Sequence, residues 1–133
     1  MGGWGATRAL KLGERPSPQD SSKILRHAVL QIQSNPLCTN KTTISYNATI
    51  TFCAGDGKGK SDTCQRDSGG PFVREIRKGR QMRWLVIGIV SWGEECAQRD
   101  KYVYYTREYP FLDWINRTIE GFKYISDSSI TIK

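Results

Sequence analysis

No stretch of this chain approaches the ~20 apolar residues that a membrane-spanning helix requires, so insertion into a bilayer is not expected. It holds a single histidine, His27. Its cysteines form neither a Cys-x-x-Cys pair nor a useful spacing with that histidine, which argues against a zinc site. No nucleic-acid module accompanies the basic charge, so a nucleic-acid partner is not expected either. The N-terminal Met1-Gly2-Gly3-Trp4-Gly5 lacks the basic region and apolar run of a signal peptide. Ala6 stands where a myristoylation signal wants Ser or Thr. No internal repeat is present.

What remains has the composition of a soluble globular chain. Its 133 residues make one domain at most, able to bury roughly two-thirds of its unfolded surface. The net charge of +7 is scattered, except in Arg74-Glu75-Ile76-Arg77-Lys78-Gly79-Arg80. That cluster suits heparin-like polyanions or acidic protein substrates, although a solvated hairpin turn is the plainer reading. Four cysteines, an even number, point to an oxidising compartment, and sequence alone does not choose among their three pairings. Asn40, Asn47 and Asn116 each head an Asn-x-Thr sequon; these glycosylation candidates fit a secreted, extracellular address. A secreted type of domain without a signal peptide reads most simply as a fragment whose true start lies upstream.

Residues 6–22 are polar and carry Gly13, Pro16 and Pro18, which predicts a long surface loop. Over 23–33 the parity of Ile24, Ala28, Leu30 and Ile32 against His27, Gln31 and Gln33 predicts a strand with one buried face. On that strand His27 reads as a half-exposed structural histidine rather than a general base. A polar segment at 38–53 leads to a glycine-rich, flexible stretch at 54–61. Residues 72–76 and 84–92 read as strands joined by a turn at Gly79, the second apolar enough for a central strand covered on both faces. After a charged loop at 97–102 comes a strand at 103–106. Tyr109-Pro110 then introduces a helix whose Leu112, Ile115, Ile119 and Phe122 make one apolar stripe. From Ser126 the chain is polar and expected to fray.

The stretch around which the rest is organised is Asp62-Thr63-Cys64-Gln65-Arg66-Asp67-Ser68-Gly69-Gly70-Pro71. By composition alone it is a surface turn. A serine becomes an effective nucleophile when a sharp turn holds it beside backbone donors that can stabilise an oxyanion. Gly69 and Gly70 allow that close backbone approach, and Pro71 ends the turn before the apolar Phe72-Val73. The stretch resembles the nucleophile loop of the trypsin-like, chymotrypsin-fold serine proteases. Other segments resemble that family's motifs in its order: Gly3-Trp4-Gly5 the opening of its second β-barrel, Ser91-Trp92-Gly93 its substrate-binding segment, Tyr104-Tyr105-Thr106 the strand closing its specificity pocket. Phe111-Leu112-Asp113-Trp114-Ile115 resembles the entry to its C-terminal helix. The resemblance runs from about Gly3 to about Phe122.

The resemblance implies an all-β fold, the C-terminal six-stranded antiparallel β-barrel of the two-barrel trypsin-like architecture with a C-terminal α-helix. This covers residues 1–125, with a polar tail at 126–133 and the N-terminal barrel missing. It implies a serine endopeptidase that cleaves after Arg or Lys, with Ser68 as nucleophile and the amides of Arg66 and Ser68 as oxyanion hole. Asp67 then receives the new N-terminal ammonium on activation, or caps its own loop. Asp62 is the floor of the specificity pocket, and Ser91, Trp92 and Gly93 bind substrate backbone as an added strand. The implied disulfides are Cys38 with Cys53 and Cys64 with Cys96. The first closes a loop of about fifteen residues, worth ~3 kcal/mol. Na+ near Tyr102 is the one cofactor suggested. The implied partners are protein or peptide substrates, protein inhibitors and the missing barrel.

Two positions depart from the family. Arg66 stands where it carries glycine; a non-glycine residue forced to positive φ costs on the order of 1–2 kcal/mol, and arginine crowds the leaving-group side. Val103 stands where the pocket has glycine, so it is expected to obstruct a long basic side chain on its way to Asp62. Glu94 and Glu95 at the rim still favour basic substrates. These departures leave a second reading, a non-catalytic homologue acting as a binding or regulatory module. The family's catalytic histidine and aspartate belong to the first barrel, and losing the base costs on the order of a millionfold in turnover. The chain alone is therefore expected to be inactive.

Overall fold

Runs of β-branched and aromatic residues become strands, and in this computed structural model, which describes residues 1–6, 17–59, 67–94 and 98–128, all ladders between them are antiparallel. In chain order the strands are β1 (Gly2–Gly3), β2 (Arg26–His27), β3 (Thr51–Ala54), β4 (Pro71–Lys78), β5 (Gln81–Gly93) and β6 (Val103–Arg107). A short helix, α1 (Asn35–Asn40), with proline in its first turn, separates β2 from β3. A 3-10 turn at Tyr109–Phe111 leads into α2 (Leu112–Ser128). Four strands form one sheet in the order β3-β6-β5-β4, and β1 pairs with β2 alone. A bridge between Ile32, in the segment after β2, and Ala54 ties that segment to β3. The antiparallel architecture with its C-terminal helix is thus present, and among the described residues no ladder joins β1 to β4.

The core is aromatic. Phe52 stacks on Tyr105 at 5.2 Å between ring centroids, and Phe72 meets both edge-on at 5.4 and 4.9 Å. Ala54, Val90 and Val103 complete the buried cluster. A second cluster contains the Cys38–Cys53 disulfide, which ties α1 to β3, together with Tyr102 and Tyr104. Arg107 fastens the end of β6 to this region: its Nε donates to the Thr51 carbonyl at 3.2 Å, and its guanidinium lies 5.3 Å from the Phe52 ring centre.

Four elements differ from expectation. The strand predicted over 23–33 shrinks to Arg26–His27 plus the bridge at Ile32, and Ile24 and Ile32 are 66% and 43% exposed. Its partner β1 is a pair of glycines, which supplies two rungs and no side chains to pack against. β5 is central, yet Trp84 and Leu85 are exposed, because β6 pairs only with its second half, from Gly88 to Gly93. β3 lies in a segment read as polar, and all four of its residues are buried. The apolar stripe of α2 is open where its side chains are described: Leu112 and Ile119 stand exposed beside Trp114, and Ile115 is half-buried.

A groove of about 600 Å³ opens between the β1–β2 pair and the β4–β5 hairpin, lined by Met1, Val29, Leu30, Phe72 and Trp84 among others. Among the described residues no helix is long and apolar enough to cross a membrane.

Candidate active site

Asp67, Ser68, Gly69 and Gly70 close a β-turn in which the Gly70 amide donates to the Asp67 carbonyl at 2.9 Å. Gly69, in the third position, has φ +80°, the value a type II turn demands there and L residues resist. Nothing lies within 4 Å of where its Cβ would stand, so the dihedral rather than space calls for glycine. Two bonds pin the turn to β5: Gly69 N–H to the Val90 carbonyl and Val90 N–H to the Gly70 carbonyl, both 2.9 Å. Ser68 is exposed at the tip. The turn thus presents a serine to solvent from an anchored backbone.

Asp67 is held from the other side. The Gly5 amide donates to its Oδ1 at 2.8 Å. A Cβ on Gly3 would stand 2.0 Å from Oδ1, and one on Gly5 2.1 Å from Oδ2. The carboxylate therefore occupies the space that any side chain at either position would need, which gives the Gly3-Trp4-Gly5 motif a second meaning not visible in sequence. It is a cradle for Asp67, with Trp4 itself turned outward.

The Ser91–Gly93 segment ends β5. The register passes from Val90 opposite Tyr105 to Trp92 opposite Tyr104, leaving Ser91 as the bulged residue. Trp92 stacks on Tyr104 with centroids 3.9 Å apart and planes within 1°. The Tyr104 hydroxyl donates to the Cys38 carbonyl at 2.7 Å, and burial first of all pushes this phenol up to about 12. Val103, opposite both Gly93 and Ala54, is buried in the core cluster, with Cγ2 3.3 Å from where a Cβ would stand on Gly93. His27 is exposed on β2, opposite Gly2, and no hydrogen bond among the described residues links it to Ser68. Asp62, Cys64, Arg66, Glu95 and Cys96, and with them the second disulfide and half of the oxyanion hole, lie outside the described residues.

The trypsin family's sequence profile matches residues 1–115, a span that takes in the Asp67 cradle, the Ser68 turn and the Ser91–Gly93 segment. The chain belongs to the trypsin family. It is 41% identical over 116 residues to transmembrane protease serine 11C of Mus musculus, covering 85% of this chain and 24% of that protein. It is 45% identical over 66 residues to mannan-binding lectin serine protease 1 of Mus musculus and of Rattus norvegicus, covering 50% of this chain and 9% of those proteins. The chain thus spans about a quarter, or less, of the length of these curated relatives.

In this trypsin-family chain the segment after β5 is held by an unforeseen network. The Glu94 carboxylate accepts from Thr42 Oγ1 at 2.7 Å, from the Thr43 amide at 3.0 Å and from Thr43 Oγ1 at 3.2 Å, and it pairs with the Lys101 ammonium. The Lys101 hydrogen bond, followed by those from Thr43 and Thr42, holds its pKa down to about 2. Lys41 pairs with Asp100 at 3.3 Å alongside. Glu94 is thus committed inside the fold, which corrects the expectation that it waits at the pocket rim for a basic substrate. No sequence spacing singles out Glu94, because Thr42 and Thr43 lie about fifty residues away.

Of the three sequon asparagines, all exposed, Asn40 heads the tripeptide whose Thr42 hydroxyl is bound to Glu94. Asn47 accepts from the Thr49 amide at 2.9 Å. Asn116 stands on α2. Among the described residues no three His, Cys, Asp or Glu side chains gather as a metal would need.

Proposed function

We propose that this chain is the C-terminal half of a trypsin-like serine endopeptidase domain, residues 1–125, which cleaves after Arg or Lys through an acyl-enzyme at Ser68. The observation that carries the reading is the anchored turn: an exposed serine on a glycine-dependent bend, tied to β5 on one side and to the Asp67 cradle on the other. In the complete site a histidine from the first barrel takes the Ser68 proton as the oxygen attacks the scissile carbonyl. The amides of Arg66 and Ser68 hold the oxyanion, the proton passes to the leaving amine, and water hydrolyses the ester. Ser91–Gly93 carries the substrate backbone. With Glu94 engaged elsewhere, basic specificity rests on Asp62 and on how far Val103 narrows the way to it.

The surface supports a missing half. Val29 is 91% exposed, and Trp84 and Trp114 are each 66% exposed, apolar area that a folded partner would cover. The Cys38–Cys53 disulfide and the three sequons support secretion and glycosylation.

The test is turnover of peptide amides ending in Arg or Lys. The complete peptidase domain is expected to cleave them and the purified 133-residue chain not to. Amidase activity from the isolated chain would overturn the reading. Absence of activity from the complete, activated domain would favour the non-catalytic homologue.

A further inference from the structure

The β4–β5 hairpin carries charge that the peptidase reading does not use. Its loop is two residues, Gly79 and Arg80, with φ +63° at Gly79 and an ordinary φ at Arg80, the pattern of a type II′ turn, and the strands stay in register from Lys78–Gln81 back to Val73–Val86. The pairing sets Arg74 opposite Leu85, Ile76 opposite Arg83 and Lys78 opposite Gln81. Because side chains alternate along a strand, Arg74, Lys78 and Arg83 fall on one face. The hairpin's one carboxylate, Glu75, falls on the other with Arg77. Arg74, Lys78, Arg80 and Arg83 are all exposed, and among the described residues none has a carboxylate partner.

We infer that this hairpin face binds a sulfated polysaccharide. Arg74 and Lys78, four residues apart, stand about 13 Å apart along the strand, with Arg83 between them on the neighbouring strand and Arg80 at the tip. That is a row of cations matched to a linear polyanion rather than to a single ion. Guanidinium groups bind tetrahedral oxyanions through paired, charge-assisted hydrogen bonds. β4 has no partner on its outer side among the described residues, so its outward amides add neutral donors. The Cys38–Cys53 disulfide belongs to an oxidising compartment, where sulfated glycans rather than nucleic acids are the abundant polyanions. The cationic face carries Ile76 and Leu85 and no aromatic ring on which a base could stack, Trp84 lying on the opposite face.

The test is elution of the chain from immobilised heparin in a salt gradient. Replacing Arg74, Lys78 and Arg83 together by Gln is expected to move elution to much lower salt. The slope of log affinity against log salt should fall by about 2–3, since each cation taken from the row removes roughly 0.7–0.9. Replacing Lys23, Lys58 and Arg99 by Gln, the same change in net charge at exposed sites elsewhere, is expected to leave the slope nearly unchanged. Equal losses in the two variants would reduce the effect to net charge and overturn the inference. Equally tight binding of the unaltered chain to desulfated heparin, duplex DNA or phosphatidylserine vesicles would also overturn it. Without any substitution, bound heparin should protect Lys78 and not Lys23 from acetylation, and equal modification of both would contradict the assignment.

Discussion

Glu94 draws donors from a segment about fifty residues away and from Lys101, and so couples the loop after α1 to the connection between β5 and β6. Its carboxyl is held at about 2 in the folded chain, against about 4.3 for a free glutamate. A group whose pKa falls on folding stabilises the fold above its unfolded value, and that contribution fades as pH drops through its folded value. Glu94→Gln keeps the shape and loses the ion pair with Lys101. Its melting temperature should therefore fall by a few degrees near neutral pH, and the deficit should close as pH is lowered from about 4.3 toward about 2. Thermal melts across that range test this; a deficit that persists at the acid end would contradict the assignment. The contrast with Ser68 shows what sequence exposes at this scale. Asp-Ser-Gly-Gly is local turn chemistry, readable from four neighbouring letters, whereas the Glu94 network exists only once distant segments meet. Asp67 lies between the two cases, because its own loop is legible in the sequence and its cradle is not.

At the scale of elements, the same division holds. The β4–β5 hairpin follows from a glycine placed at the one position of a two-residue turn that needs positive φ. The strand over 23–33 is shorter than its alternation predicts because alternation says nothing about a strand's partner, and the partner is two glycines. Those glycines matter for another reason. Gly3 ends β1, and with Gly5 it leaves room for the Asp67 carboxylate. Gly5→Ala would set a methyl group against Asp67 and break or distort the bond from the residue 5 amide. Overpacking of this kind costs about 1–3 kcal/mol, and the damage should be local. Hydrogen exchange at the Gly69 and Gly70 amides should quicken while the β3–β6 ladder stays protected. Uniform acceleration across both would mean that the cradle does not act on the Ser68 turn.

At the scale of the whole molecule, the chain is an antiparallel β structure with its aromatic core between β3, β6, β5 and β4 and a substantial apolar surface left open. The fold class is legible because ordered motifs run nearly the length of the chain, and the family match over 1–115 bears that out. The open surface is not legible, since hydrophobic pattern marks what prefers burial and not what supplies the cover. The exposed Trp84, Val29 and Trp114 support the proposal of a second wall facing the Ser68 turn, since they are apolar area that such a partner would cover.

The most direct measurement is mass-spectrometric mapping of the adduct left by a serine-directed phosphonate on the complete, activated peptidase domain. A single adduct on the peptide containing Ser68, lost in Ser68→Ala, is the predicted result. An active domain labelled at another residue, or an activated domain that takes up no label, would contradict the account.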